Sequence, residues 1–344
     1  MMMGTSGCPF FLAASSLFLR SAMPFDFEHA VTTPFRMQPG LRKLAEGGPQ
    51  FTPNHPASPH LREKLAVLHS QPEQALQIEP GFDALPALHA AMRQAAQEHP
   101  AALNLSSDGQ LLAHALGWSV DDRGEVAALH PQAPQNIGQC LKALPASWRQ
   151  AALFSLAIEE DLAIVDGRRA SLPWLAVALP SHWDPRQKIG RHFAEVHAPV
   201  ADNAVLVAAG EHLMKLVTGP QRWERFVWNM TRHPGLDAHP QRVPPTHWPA
   251  ELDETELNQH TWFRSERQTF IPLPERGQAV FTIRVAVRPL AQAVDTPARA
   301  QRLHDAIASM SPAALAYRQL TEARPGLLRW LAARAACADS ASTP

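Results

Sequence analysis

The chain has 344 residues, 45% of them hydrophobic, enough for one large domain or two smaller ones around a sizeable core. Its 31 Lys and Arg against 32 Asp and Glu leave a formal net charge of −1 with the 17 histidines neutral, so neither a basic nucleic-acid surface nor an acidic solvating tail is implied. Three cysteines, Cys8, Cys140 and Cys337, stand far apart without a CxxC pair. That excludes a self-contained cysteine-ligated iron–sulfur cluster, argues against a disulfide framework and fits a reducing, cytoplasmic compartment.

The run Pro9 to Leu19 is apolar, like a signal-peptide core, yet no Lys or Arg precedes it and "FLRSAM" is a poor cleavage site. About a dozen residues are too few to span a bilayer. The functional chain is expected to begin near Met23, with residues 1–23 poorly ordered or an upstream misassigned start. No other segment is a transmembrane candidate. Residues 24–60 ("TTPFRMQPGLRKL", "FTPNHPASPH") read as an extended arm laid over a surface. Residues 60–104 read as helices ("SPHLREKLAVLHSQ", "ALPALHAAMRQAAQEHP"). A turn at Asp108-Gly109 follows, then the helical stretch "NIGQCLKALPASWRQAALFSLAIEEDLAIV".

The second half changes character. "EDLAIVDGRRASLPWLAVALPS" predicts a strand, a turn at Asp166-Gly167 and a strand. "DPRQKIGRHFAEVHAPV", residues 184–200, predicts one helix, capped by Asp184, started by Pro185 and ended by Pro199. Ile189, Phe193, Val196 and His197 share one side of it. "AVLVAAGEHLMKLVTG" predicts another helix, ending at Gly219, and "RWERFVWNMTRH" a strand. A proline-rich loop, 234–256, leads to a hairpin over "TWFRSERQTFIPLPERGQAVFTIRVAVRPL", turning near Glu275 to Gly277. Its second strand alternates Ala279, Phe281, Ile283, Val285 and Val287 against Thr282, Arg284 and Arg288. Helices close the chain, with Thr296-Pro297 as a start signal. The sum is an α+β fold with a helical N-terminal part over 24–150, an antiparallel sheet within 151–335 and a disordered tail at 336–344.

A lone histidine on an apolar helix face, such as His197, reads either as a core residue bonded to a carbonyl or as a metal or haem ligand. His192, five residues earlier, would lie about 140° around a helix, so a two-histidine site is disfavoured and a single axial ligand stays open. Lys188, Arg191 and Glu195 form either a solvated ion-paired face or an anion contact such as a haem propionate. In "WFRSERQTF" both faces carry charge: Arg267 lies on one, Arg264 and Glu266 on the other, and the paired strand adds Arg284 and Arg288. Such charges need partners. They make either a salt-bridged edge or a basic lining for an anionic cofactor, with Glu266 orienting an arginine or facing a substrate. "IEEDLAIV" puts Glu159, Glu160 and Asp161 at a helix-to-strand junction, as a solvated helix end or as carboxylates at a pocket edge. No GxGxxG, P-loop, HExxH or GxSxG occurs, which argues against a nicotinamide dehydrogenase, a nucleotide hydrolase or a serine hydrolase. A single tyrosine, Tyr317, nearly removes that residue type from the catalytic argument.

The blocks "IEEDLAIV", "LPSHWDPRQKIGRHFAEVHAPV", "RFVWNM", "FRSERQTFIPLPERGQAVFTIRVAVRPL" and "YRQL" occur in an order and spacing that resembles the alpha subunit of haem-dependent oxidative N-demethylase and its wider family. "PFRMQPGLRKL" resembles that family's opening motif, and the resemblance covers roughly residues 30 to 332. It implies a PAS-like haem-binding domain over 151–335, haem b with its iron, and no flavin or iron–sulfur cluster in this chain. The implied reaction removes a methyl group from a small secondary amine such as dimethylamine, using O2 and releasing formaldehyde. Electrons would come from a separate flavin and iron–sulfur reductase subunit, with no nucleic acid or membrane involved. The match of "HAPV" makes His197 the axial ligand. Lys188, Arg191, Arg225, Arg267 and Arg284 fall in family-like motifs as contacts to the propionates or pocket wall. Glu160, Asp161 or Glu266 would supply a distal carboxylate for the cationic amine. Two departures stand out: Glu159 where a glutamine is expected, and "RFVW" (Arg225 to Trp228) where an "RxNW" motif is expected, unless Asn229 substitutes. The alternatives are a non-catalytic, gas-sensing haem protein and a haem-free small-ligand binder.

Overall fold

The computed structural model describes residues 27–249 and 251–336. The apolar run at Pro9 to Leu19, the start near Met23, and the tail from 337 onward lie outside the described residues. Among the described residues, eleven strands form two antiparallel sheets: β1 (Arg42–Lys43), β2 (Leu76–Ile78), β3 (Leu103–Leu105), β4 (Leu111–Ala113), β5 (Trp118–Val120), β6 (Val126–Ala128), β7 (Asp161–Asp166), β8 (Ser171–Ala176), β9 (Trp223–Thr231), β10 (Trp262–Leu273) and β11 (Gln278–Pro289). The larger sheet runs β1-β9-β10-β11-β7-β8-β2 and the smaller runs β3-β4-β5-β6. The fold is α+β, as the sequence pattern predicts.

The predicted hairpin is the backbone of the large sheet. Its register runs without a break from Trp262↔Pro289 to Leu273↔Gln278. β9 flanks β10 from Trp262↔Thr231 to Phe270↔Trp223. Period-two alternation therefore sorts the charged residues by face. Arg264, Glu266 and Gln268 stand level with Asn229, Val227 and Arg225 on one face, while Arg267 pairs in register with Arg284 on the other. Against that second face lie the helices Pro59–Ser70 and Leu85–Glu98 and the buried part of the arm, where Gln50 donates to Thr269 Oγ1 at 2.9 Å and to the Phe270 carbonyl. The arm is thus partly interior: Gln50, Phe51 and Asn54 are buried.

Several elements differ from the periodic reading. The 184–200 stretch is two pieces, a 3-10 turn at Pro185–Gln187 and a short helix at Phe193–His197. Gly190, at φ 67°, takes a left-handed conformation between them, and its N–H donates to the carbonyl of Leu172 in β8. Asp184 does cap as predicted, accepting from Arg186 N–H, but it caps the turn. The long helical stretch after residue 134 breaks before Pro145 into Gln135–Ala143 and Ala146–Ala157. The latter helix spans the division drawn at residue 150. The four-stranded meander β3–β6 was not read from the sequence at all, because each strand is only three residues long. Among the described residues, no helix is long and apolar enough to cross a membrane.

Candidate functional site

A cavity of about 470 Å³ opens on the face of the large sheet that carries Arg225, Glu266 and Gln268. Its opposite wall is the irregular chain from Ser181 through the short helix to Leu206, and Met37 and Gln38 of the arm also reach it. Apolar side chains from both walls meet there, among them Val165, Leu175, Phe193, Met214, Phe270 and Phe281.

His197 lies in this wall. Its helix is set by a reciprocal cap: the His192 ring accepts from Ala194 N–H, and the Glu195 carboxylate accepts from His192 N–H. One turn on, His197 Nδ1 lies 2.8 Å from the Phe193 carbonyl, and its ring packs on the Phe193 ring with centroids 4.0 Å apart. A carbonyl only accepts, so Nδ1 carries the proton and Nε2 keeps its lone pair. Burial lowers the pKa of His197 against the opposing pull of that carbonyl, and nearby Arg225 and Lys188 lower it further. The ring is therefore neutral, with one nitrogen anchored and one free to bind a metal. His192 spends its ring on the cap, so the two histidines do not form a pair.

Cations surround this position. Lys188 Nζ donates to the Val196 carbonyl at 3.1 Å, and burial lowers its pKa. Arg191 is mostly exposed at the rim, 3.9 Å from Glu195. Arg225 lines the cavity, its pKa lowered by burial, and its Nε has no partner among the described residues. An unpaired buried guanidinium nitrogen is costly unless a ligand satisfies it. The carboxylate of the cavity is Glu266, buried, with Oε2 accepting from Gln268 Nε2 at 2.5 Å. Arg264, next on that face, is fully engaged: it donates to Ser181 Oγ at 2.7 Å and to the carbonyls of Pro180, Gly235 and Leu236. It fastens the Pro180–His182 wall to β10.

Four predicted site residues are not brought to the cavity. Asp161 lies 3.3 Å from the fully buried Lys64 and accepts from Leu179 N–H at 2.7 Å. Glu160 accepts from Thr52 N–H at 2.9 Å, inside the seam between arm and sheet. Arg267 donates to Glu224 at 3.0 Å, and Arg284 reaches Glu159 at 2.6 Å, both on the far face of the sheet. The unexpected charge of Glu159 is thereby balanced away from the cavity. Val227, at the asparagine position of the "RxNW" pattern, does line the cavity, and so does Asn229 on the same face.

Sequence reading missed three residues of the wall. His182 has φ 63°, rare for a residue with a Cβ, and lies in the cavity wall. Its only sequence signal was its place inside "LPSHWDP", because irregular backbone has no period to read. Tyr317, the sole tyrosine, and Arg318 also line the cavity, and Arg318 stacks 4.9 Å over Trp228.

The sequence profile of a family described as haem-dependent oxidative N-demethylase, alpha subunit-like, matches residues 59–328. The chain belongs to that family. Membership in a haem-dependent, alpha-subunit-like family implies a haem cofactor and a partner subunit. The residues of this N-demethylase-like chain fit such a group: an apolar slot, one neutral histidine with a free Nε2, and a cationic rim whose Arg225 Nε lacks a partner. No set of three or more His, Cys, Asp or Glu side chains converges as a metal cage among the described residues, so a metal at His197 would draw its other donors from a cofactor.

Proposed function

We propose that this chain is the haem-bearing catalytic subunit of an oxidative N-demethylase acting on a small secondary amine of the dimethylamine type. The observation that carries the reading is the anchored, neutral His197 in the wall of an apolar cavity that also holds one buried carboxylate, Glu266. His197 would hold haem b iron through Nε2, and Lys188, Arg191 and Arg225 would meet its carboxylates. When bound, the haem supplies the oxygen-dependent oxidation that releases one methyl group as formaldehyde, with electrons from a separate flavin and iron–sulfur reductase. The five strands β7, β8, β9, β10 and β11 stand in the order β8-β7-β11-β10-β9, which supports the PAS-like description of the domain.

The chain's own residues do the rest. Glu266, the one carboxylate among the described residues lining the cavity, offers the negative charge that attracts an alkylammonium ion. Phe193 orients the His197 ring by stacking and by its carbonyl, and fixes which nitrogen carries the proton. Phe270, Phe281 and Met214 exclude water from the methyl groups of a bound amine. The test is spectroscopic first. The purified protein should show a Soret band that His197→Ala abolishes, and with a reductase supplied it should release formaldehyde from dimethylamine. A colourless protein that takes up no added haemin would end this reading.

A further inference from the structure

Arg318 is a buried cation of the cavity wall that the scheme above leaves without a task. It is 9% exposed, and its segment is pinned at two places. The Arg318 carbonyl accepts from Asn229 Nδ2 at 3.3 Å, and the Gln319 carbonyl accepts from Trp248 Nε1 at 2.6 Å. The guanidinium itself lies over two rings, 4.7 Å from the centre of Phe35 and 4.9 Å from that of Trp228. Its Nη1 donates to the Trp228 carbonyl, in the part of β9 that β1 leaves uncovered. These contacts fix the plane of the group before any ligand arrives.

Holding the sheet edge uses little of it. A guanidinium carries five N–H donors, and among the described residues only Nη1 of Arg318 has an acceptor. Nε is buried without a partner, and none is found for Nη2 beside it. Nε–H and Nη2–H point the same way and together make the two-pronged edge that matches a carboxylate. The charge is equally unanswered. Burial pushes the pKa of Arg318 down to about 10, which leaves it a cation near neutral pH, and the one acidic group acting on it is the Tyr317 phenol. Arg264, by contrast, spends its donors on three carbonyls and a hydroxyl. A buried donor of a charged group is costly when unpaired, and one in a cavity wall is satisfied by what the cavity binds.

We infer that Arg318 binds a carboxylate at the cavity wall through its Nε–Nη2 edge. Two sources of that group rest on the N-demethylase reading: a carboxylate of the haem, and a carboxylate carried by the amine substrate, as in an N-methylated amino acid. Arg225 and Lys188 act electrostatically on His197, and Arg318 is not among its charged neighbours. Arg318 therefore stands apart from the cations grouped about the proposed axial ligand.

The experiment compares the wild type with Arg318→Lys, which keeps a cation over the two rings and a donor for the Trp228 carbonyl but loses the two-pronged edge. Dissociation constants are measured by calorimetry on the full-length chain. One arm titrates haemin and its dimethyl ester, which has no free carboxylate, into protein freed of haem. The other titrates N-methylglycine, the longer N-methyl-β-alanine and dimethylamine into the haem-loaded protein. If the haem is the source, Arg318→Lys should lower the preference for haemin over its ester by about tenfold or more and leave the amines unchanged. If the substrate is the source, the wild type should prefer a carboxylate-bearing amine to dimethylamine, and Arg318→Lys should lower that preference by about the same factor with haemin unchanged. Unchanged ratios in both arms overturn the inference and leave the haem reading intact. An Arg318→Lys chain that fails to fold by circular dichroism also overturns it, because Arg318 would then serve the sheet edge. A wild type that takes up no haemin ends the haem reading instead, and the amine arm, run on the haem-free chain, then decides the inference alone.

Discussion

His60 and Glu160 lie in the seam between the arm, the helix Pro59–Ser70 and the far face of the large sheet, and they should oppose each other as pH changes. Burial is the main cause for both. It lowers His60 from 6.5 to about 4, against the pull of Glu159, and raises Glu160 from 4.5 to about 7, against the pull of Arg284. The signs differ. For His60 the unfolded chain binds the extra proton, so its contribution is complete above pH 6.5 and is lost as pH falls toward 4. For Glu160 the folded chain binds the extra proton, so its contribution is complete below pH 4.5 and is lost as pH rises through 7. Integrated between about pH 4.5 and 7, each amounts to roughly 2–3 kcal/mol, with opposite slopes. In the wild type they nearly cancel. Glu160→Gln keeps the side-chain shape and an oxygen to accept from Thr52 N–H, and removes one of the two slopes. Urea unfolding across that pH range should show the variant gaining on the wild type by roughly 2–3 kcal/mol as pH rises from about 4.5 to 7. A difference between variant and wild type that stays flat across the range would refute the reasoning.

Other outcomes follow from the same contacts. Glu266→Gln should raise the KM for dimethylamine by about tenfold or more while leaving the Soret band in place, because only the charge that attracts the ammonium is lost; an unchanged KM counts against the role given to Glu266. Formaldehyde release should rise between about pH 6 and 9 as the neutral amine becomes available, and a flat or falling profile counts against an amine substrate. Arg264→Met should cost about 3–5 kcal/mol by thermal or urea unfolding, since it strips a buried cation from the carbonyls of Pro180, Gly235 and Leu236. Gly138→Ala would place its Cβ 2.1 Å from the Trp118 ring, and overpacking of that kind should lower stability by about 1–3 kcal/mol.

What the sequence made legible was whatever repeats with a period. The strand pair at Asp161–Asp166 and Ser171–Ala176, the strand Trp223–Thr231 and the hairpin all form where alternation and turn residues predict them. Alternation also separated Arg264 and Glu266 from Arg267, but nothing local says which face meets a cavity; that depends on the chain from Ser181 to Leu206 folding over one side. The charges of "IEED" were misplaced for a related reason. Asp161 is matched by Lys64, a residue 97 positions earlier whose helix reads as an ordinary amphipathic one, and a fully buried lysine leaves no mark in the sequence. The 184–200 helix failed at Gly190, where the bond to Leu172 fixes the backbone through tertiary structure and overrides the spacing of Ile189, Phe193 and Val196.

The two outermost strands of the large sheet come from the N-terminal part of the chain. β1 covers β9 with two residues, both cations, and β2 covers β8 with three. Unpaired sheet edges template association with other chains, and short or charged edge strands suppress it. The N-terminal region therefore guards the solubility of the sheet that carries the cavity. A chain begun at residue 151 would keep every cavity residue except Met37 and Gln38, yet would bare the outer edges of β8 and β9 and favour edge-to-edge aggregation over function.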